Sequence, residues 1–176
     1  MTFEFNLKGY RPAAIAALAA SLLLGPGETL NAEEAHANQS IAGTWILAAA
    51  DKLLPDGTRV ADYGPNPHGL CIFTPDGYYS IQIYRAERLK FASGEKFSGT
   101  PEEYKDVSLS MSVGFGRYDV DPAKHTITFH RDRNSVPNLD DTTSVRPYEL
   151  KDDTLSWKVS ARKDGSIPIT VLQRAK

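Results

Sequence analysis

From residue 41 onward the chain is built of short runs rich in Ile, Val, Thr, Tyr and Phe, broken by clusters of Pro, Asp and Gly. Apolar and polar residues alternate with a period of two inside these runs, which predicts half-buried strands joined by tight turns. The clearest hairpin spans 70–84 and folds at Thr74-Pro75-Asp76-Gly77, where Pro presets a turn dihedral, Asp bonds its own backbone and Gly accepts a positive φ. Tyr79, Ile81 and Ile83 then share the face predicted to be buried, while Tyr78, Ser80, Gln82 and Tyr84 share the other. A second hairpin joins 116–120 to 125–130 through Asp121-Pro122-Ala123-Lys124. Ile127 and Phe129 point inward there, with His125 and Arg131 on their face and His130 outward. A third joins 143–150 to 154–161, placing Leu155, Trp157, Val159 and Ala161 on one face, and Lys163-Asp164-Gly165 turns the chain into 166–174. With 42–50 and a weaker segment at 58–62, the count reaches about eight to ten strands, the spacing of a sandwich or barrel.

One segment departs from this pattern. Thr100-Pro101-Glu102-Glu103 combines an N-cap hydroxyl, Pro at the first helical position and Glu at the third, so one short helix is predicted to start there. Tyr104, Val107 and Met111 fall on one helical face and Gly114 is the expected stop. Such a helix either closes one end of the barrel or packs on its surface.

The first forty residues differ from the rest. Lys8 and Arg11 precede an uncharged apolar block at 13–24, the layout of a secretory signal. The block is shorter than the roughly 20 residues a helix needs to cross a bilayer. Gly25-Pro26-Gly27 breaks it and Ala35-His36-Ala37 supplies a small-x-small pattern. Residues 1–37 are therefore expected to be a signal peptide cut after Ala37, with Ala32 as the rival position, and 38–176 to form one domain. No cysteine stands in the cleavage region directly after the block, so no lipid anchor and no other membrane anchor is expected after cleavage. The expected location is periplasmic or secreted.

With 176 residues and 41% hydrophobic content, the chain supports one ordinary core. Its net charge of −2, with Lys and Arg scattered, argues against a nucleic-acid partner. The single cysteine, Cys71, excludes an intramolecular disulfide, and within Leu70-Cys71-Ile72-Phe73 it reads as a small buried hydrophobe.

Gly43-Thr44-Trp45 on the first strand resembles the glycine-x-tryptophan signature of lipocalins. The text beyond it resembles bacterial and fungal lipocalin-like domains, through Pro65-Asn66-Pro67-His68-Gly69-Leu70, Thr74-Pro75-Asp76-Gly77-Tyr78, Glu102-Glu103, Gly116-Arg117-Tyr118, His130, Pro137-Asn138 and Arg146-Pro147-Tyr148-Glu149-Leu150. These lie in the right order across nearly the whole mature chain. The resemblance implies an all-β, antiparallel, lipocalin-like up-and-down barrel. It also implies that Trp45 closes the barrel bottom under cover of Arg174, so that Gly43, Trp45 and Arg174 form a structural signature. In one departure, Leu139 stands where that family usually places Trp after the loop Asn, and ring stacking there is lost.

The chemistry such a chain could carry is limited. Of the histidines His36, His68, His125 and His130, the first leaves with the leader, and His125 and His130 are an odd number apart on one strand and so face opposite ways. No His-x-His or Cys-x-x-Cys spacing occurs, and no nucleophile elbow, phosphate loop or dinucleotide fingerprint. Neither a metal nor a cofactor is expected. The Asp-Gly pairs and Asp152-Asp153 fall at turns and read as structural. The remaining candidates are polar or aromatic groups on apolar strands and in the loop that follows: Tyr79, Tyr84, Arg85, Arg88, Tyr118, Phe129, His130, Asn138, Arg146 and Trp157. A buried arginine is costly unless paired, so one that faces inward would mark a site for an anionic or carbonyl group. Arg146 and Tyr84 are expected at a ligand's polar end, with Trp157 and Phe129 along its apolar part. The leading expectation is a carrier or sensor of a small hydrophobic molecule, monomeric or homodimeric. The alternatives are a cofactor-independent isomerase, cyclase or lyase working in the same pocket, and a protein-interaction module with a filled barrel that meets its partner through 133–141.

Overall fold

The computed structural model describes residues 41–176, and the expected leader with its cleavage point at Ala37 or Ala32 lies outside the described residues. In chain order the described elements are β1 (Gly43–Leu53), β2 (Arg59–Ala61), β3 (His68–Phe73), β4 (Tyr78–Tyr84), α1 (Pro101–Leu109), β5 (Met111–Asp121), β6 (Thr126–Asn134), a 3-10 turn (Pro137–Leu139), β7 (Thr143–Lys151), β8 (Thr154–Lys158) and β9 (Ile167–Arg174). From β3 to β9 each strand pairs antiparallel with the next, and β1 pairs with both β3 and β9. Eight strands thereby close into a barrel, with β2 added beside the last residues of β1. The alternating runs left a sandwich or a barrel open and the resemblance implied an all-β, lipocalin-like antiparallel barrel, which is the architecture observed.

Closure depends on β1, whose first half pairs with β3, whose end pairs with β2, and whose other edge carries β9. The register against β9 slips between Leu47 and Ala49. A bulge of this kind inserts one residue and reverses the alternation beyond it. Trp45 and Leu47 accordingly point inward before the slip and Ala50 after it, all three buried.

One end of the barrel is plugged by side chains. Ile41, Trp45, Cys71, Phe73, Leu155 and Leu172 are buried there in a single cluster with Tyr118. Phe73 meets the Tyr118 ring edge-on at 4.9 Å between centroids, and Tyr118 donates its hydroxyl hydrogen to Thr74 O at 2.9 Å. Trp45 donates from Nε1 to Ile41 O at 2.8 Å, and the Arg174 guanidinium lies 4.2 Å over the indole while donating to Ala42 O at 3.0 Å. Gly43 has φ +132°, and a Cβ on it would stand 3.1 Å from Arg174 Nη1, so this neck is reserved for glycine by both backbone and space. Burial pushes the Cys71 thiol well above its ordinary range, which leaves it an inert core group.

Three sequence expectations need correction. The helix does begin with the capping box between Thr100 and Glu103, but it ends at Leu109. Met111 and Gly114 belong instead to β5, opposite Tyr84 and Ile81 of β4, because strand pairing claims them. The helix buries none of its residues. It is tied to the preceding segment by Glu103 accepting from Ala92 N–H at 2.7 Å and Asp106 accepting from Leu89 N–H at 3.0 Å. Strand β8 stops at Lys158, so Ala161 leaves the Trp157 face and is exposed. His125 adopts φ +52° in the turn before β6 rather than sharing the inward face of Ile127.

Candidate functional site in the barrel interior

Above the plug the interior is not filled. A cavity of about 600 Å³ occupies it, within the range of small-molecule sites. Its apolar walls come from the inward positions of successive strands: Ile81 and Ile83 of β4, Phe129 of β6, Trp157 of β8, Val159 just beyond it, and Ile169 of β9. The rim is formed at the end away from Trp45, where Asp62, Tyr63, Thr142 and Arg162 converge from three connections, with Asn134 and Pro168 at the strand ends beside them. Glycine keeps the β5 wall thin. Gly114 lines the cavity, and a Cβ on Gly116 would fall 2.0 Å from His130 O across the register slip between Phe115 and Gly116.

The donors among the cavity's polar groups include Arg146, Arg131, Trp157 and Tyr79. Arg146 projects inward from β7, where its guanidinium lies 4.5 Å over the Phe129 ring. It makes no ion pair with any described residue, and its buried Nε has no acceptor. Burial, reinforced by the like charge of Arg131, lowers its pKa from the ordinary guanidinium range to about 10. Arg131, on β6, is buried and donates to Thr142 Oγ1 at 2.9 Å and Ser144 Oγ at 2.7 Å. Those hydroxyls orient it without neutralising it. Trp157 is 2% exposed and its indole N–H also lacks an acceptor. Burial raises the phenol pKa of Tyr79, which remains a protonated donor at neutral pH.

The carboxylates of the cavity stand at its rim and are already engaged. Asp62 receives both terminal nitrogens of Arg162, one at 3.0 Å, and Lys52 at 3.1 Å. Burial pushes its pKa up, but the hydrogen bonds and charges of Arg162 and Lys52 outweigh that and hold it low. Asp51 accepts from Arg59 Nε at 2.7 Å. The arrangement can therefore orient and stabilise an acceptor-bearing molecule, whereas its one shifted carboxylate, Asp62, is a weak base.

Of the ten candidate positions, the cavity brings together Tyr79, Phe129, Arg146 and Trp157. The other six are placed elsewhere. Tyr84 lies at the end of β4 with the Arg88 guanidinium 5.1 Å over its ring, so it does not meet Arg146 at a shared polar end. Even numbering on β4 sends it away from the inward set of Tyr79, Ile81 and Ile83. Arg88 donates to Ser110 Oγ at 3.1 Å, and Arg85 pairs with Asp106 of α1 at 3.4 Å. Tyr118 belongs to the plug. His130 faces outward, with Nε2 2.8 Å from Asp119 and Nδ1 3.1 Å from Thr143 Oγ1. Asn138 is exposed in the 3-10 turn, whose neighbours Val136 and Leu139 reach the cavity instead. Arg131 was not among the candidates, although it lies two residues beyond Phe129 and strand parity alone places it on the inward face. Tyr63 and Arg162 come from connections, where no periodicity announces direction.

A family model described as a lipocalin-like domain matches residues 42–175. No curated protein matches the chain. A solved structure of a redesigned β-barrel is similar at 15% identity and a TM-score of 0.40, covering 80% of this chain and 96% of that one.

Proposed function

The chain belongs to the lipocalin-like domain family, and from that premise we propose that it is an exported receptor or carrier for a small, largely apolar molecule held inside the barrel. The observation that carries this reading is the cavity of about 600 Å³ walled by Phe129, Trp157, Ile81, Ile83 and Val159 and plugged at one end only. A barrel of eight strands has an interior that side chains either fill or leave open for one ligand. Here they fill one end and leave the other open, which is why a filled-barrel interaction module is the weaker reading. Export rests on the 1–37 leader pattern and is read by the mass of the mature protein in a periplasmic or secreted fraction.

Native mass spectrometry of the full chain, as processed by a bacterial host, tests the binding reading. A non-covalent small-molecule adduct lost on denaturation is expected. Trp157 supplies a second readout, because Trp45 is shielded beneath Arg174 and Trp157 lines the cavity. In a Trp45→Phe variant, apolar probes are expected to quench or shift the remaining emission. No adduct and no probe response would overturn the proposal.

A catalytic use of the same cavity is favoured by one observation, the buried Tyr79 hydroxyl kept protonated among apolar walls. An isomerase, cyclase or lyase could use it as a proton or hydrogen-bond donor to a substrate oxygen. Tyr79→Phe would then stop turnover of the bound molecule while leaving its binding intact, and a carrier would show no turnover to lose.

A further inference from the structure

The apolar cavity contains two guanidinium groups with no carboxylate set against either. Arg146 and Arg131 both line it, and none of the described ion pairs engages them. Arg131 is held by the Thr142 and Ser144 hydroxyls, and Arg146 touches only the Phe129 face among the contacts described. Two buried N–H donors, Arg146 Nε and Trp157 Nε1, lack any protein acceptor. Buried cations without counter-charge are unfavourable, as are buried donors without partners, and each is relieved by the same addition, an anionic oxygen brought in from the cavity.

We infer that the molecule taken up by the barrel carries a carboxylate, seated against the Arg146 guanidinium with the Trp157 indole N–H as second donor, while its apolar body lies along Ile81, Ile83 and Val159. This inference rests on the proposal that the barrel binds a small apolar molecule, and it supplies the chemical class of that molecule. The planar guanidinium matches the two oxygens of a carboxylate. Arg131 adds charge from behind the Ser144 hydroxyl, and Tyr79 adds a protonated hydroxyl on the β4 side. Asp51 and Asp62 do not oppose the anion, since each is neutralised at the rim by Arg59 or by Arg162 and Lys52.

The test uses matched probes that differ only at the head: dodecanoate against dodecan-1-ol, and 1-naphthaleneacetate against 2-(1-naphthyl)ethanol. They are titrated into the full chain as processed by its host, after stripping of bound lipid, and followed by calorimetry and Trp157 emission. In at least one pair the carboxylate is expected to bind tenfold or more tighter than the alcohol at pH 7. Arg146→Met should abolish that preference and leave alcohol affinity within about twofold, since the apolar wall is retained. Arg146→Lys should keep part of it. Below the carboxyl pKa of the probe, near 4 to 5, the preference should fade in the wild type. A thermal melt of each variant verifies folding, and a variant that fails to fold is replaced by Arg146→Leu read with the same probes. Alcohols binding as tightly as carboxylates in the wild type would overturn the carboxylate assignment while leaving the apolar-ligand reading standing. Failure of every probe to bind would overturn both.

Discussion

Replacing Arg146 by Met should make the ligand-free barrel more stable, not less. Burial and the neighbouring Arg131 charge lower the guanidinium pKa from its ordinary range to about 10. At about 1.4 kcal/mol per pH unit, this penalises the charged form by roughly 3 kcal/mol. Removing the charge also removes its contact with the Phe129 face at 4.5 Å, an interaction of about 1 to 2 kcal/mol when shielded from water. Met fills much of the same volume without a polar atom. The balance is a gain of about 1 to 2 kcal/mol, or several degrees in melting temperature for a domain of this size. Urea denaturation at pH 7 measures it, on protein stripped of small molecules because any bound ligand would stabilise the wild type alone. The sign also has a pH signature. The unfolded chain holds the Arg146 proton more tightly than the folded one, so above about pH 10, and up to the ordinary guanidinium range, wild-type stability gains with rising pH through this group. The advantage of the variant is therefore full below pH 10 and shrinks above it. A variant less stable than wild type by 1 kcal/mol or more at pH 7, with an unchanged denaturant slope, would refute the reasoning and make Arg146 a structural strut.

Arg174→Ala removes the cover of Trp45 and the bond to Ala42 O; a loss of about 2 kcal/mol with a red shift of Trp45 emission is expected, and an unchanged spectrum and urea midpoint would contradict it. Gly116→Ala forces a Cβ to within 2.0 Å of His130 O, so a loss of about 3 kcal/mol or failure to fold is expected, read by circular dichroism and the urea midpoint. Asp62→Asn tests the rim. Because the folded carboxyl is held below its ordinary value of 3.8, its stabilising contribution is complete above that pH and disappears as pH falls through the folded value. The stability difference between Asp62→Asn and wild type should accordingly be constant from pH 5 to 7 and close below about pH 4.

Strand parity made most of the barrel legible before any coordinates. Tyr79, Ile127, Phe129 and Trp157 could be placed inside because each lies on an uninterrupted period-two run with apolar neighbours two residues away. The same logic placed Arg131 on the inward face of Ile127 and Phe129 but did not make it a site candidate, since the Thr142 and Ser144 hydroxyls that hold it arrive only when β7 folds against β6. Met111 was misassigned because one helical turn and the first residues of a strand look alike in three or four residues, and the Tyr84 pairing that decides it is a long-range contact. The direction of Tyr84 was within reach from Ile81 and Ile83, which share the opposite parity. The slip at Ala48 carries no composition signal of its own. The clasp between Asp62 and Arg162 joins two connections far apart in sequence, where local patterning is silent.

The minimal length of β2 has a consequence for how this chain survives among its own copies. A sheet closed on itself presents no open row of amides for a stranger to pair with, and here the outer side of β2 is what remains of an edge among the described strands. Three residues are too few to template strand addition, and Arg59 on that strip is tied to Asp51 as a charged guard. A molecule with exposed Ile46, Ile72, Phe115 and Val145 on its outer wall would otherwise combine apolar surface with unsatisfied backbone, the two ingredients of fibrous association. Shortening the loose strand removes the second ingredient, so the apolar outer wall has little unpaired backbone beside it through which copies can add strand to strand.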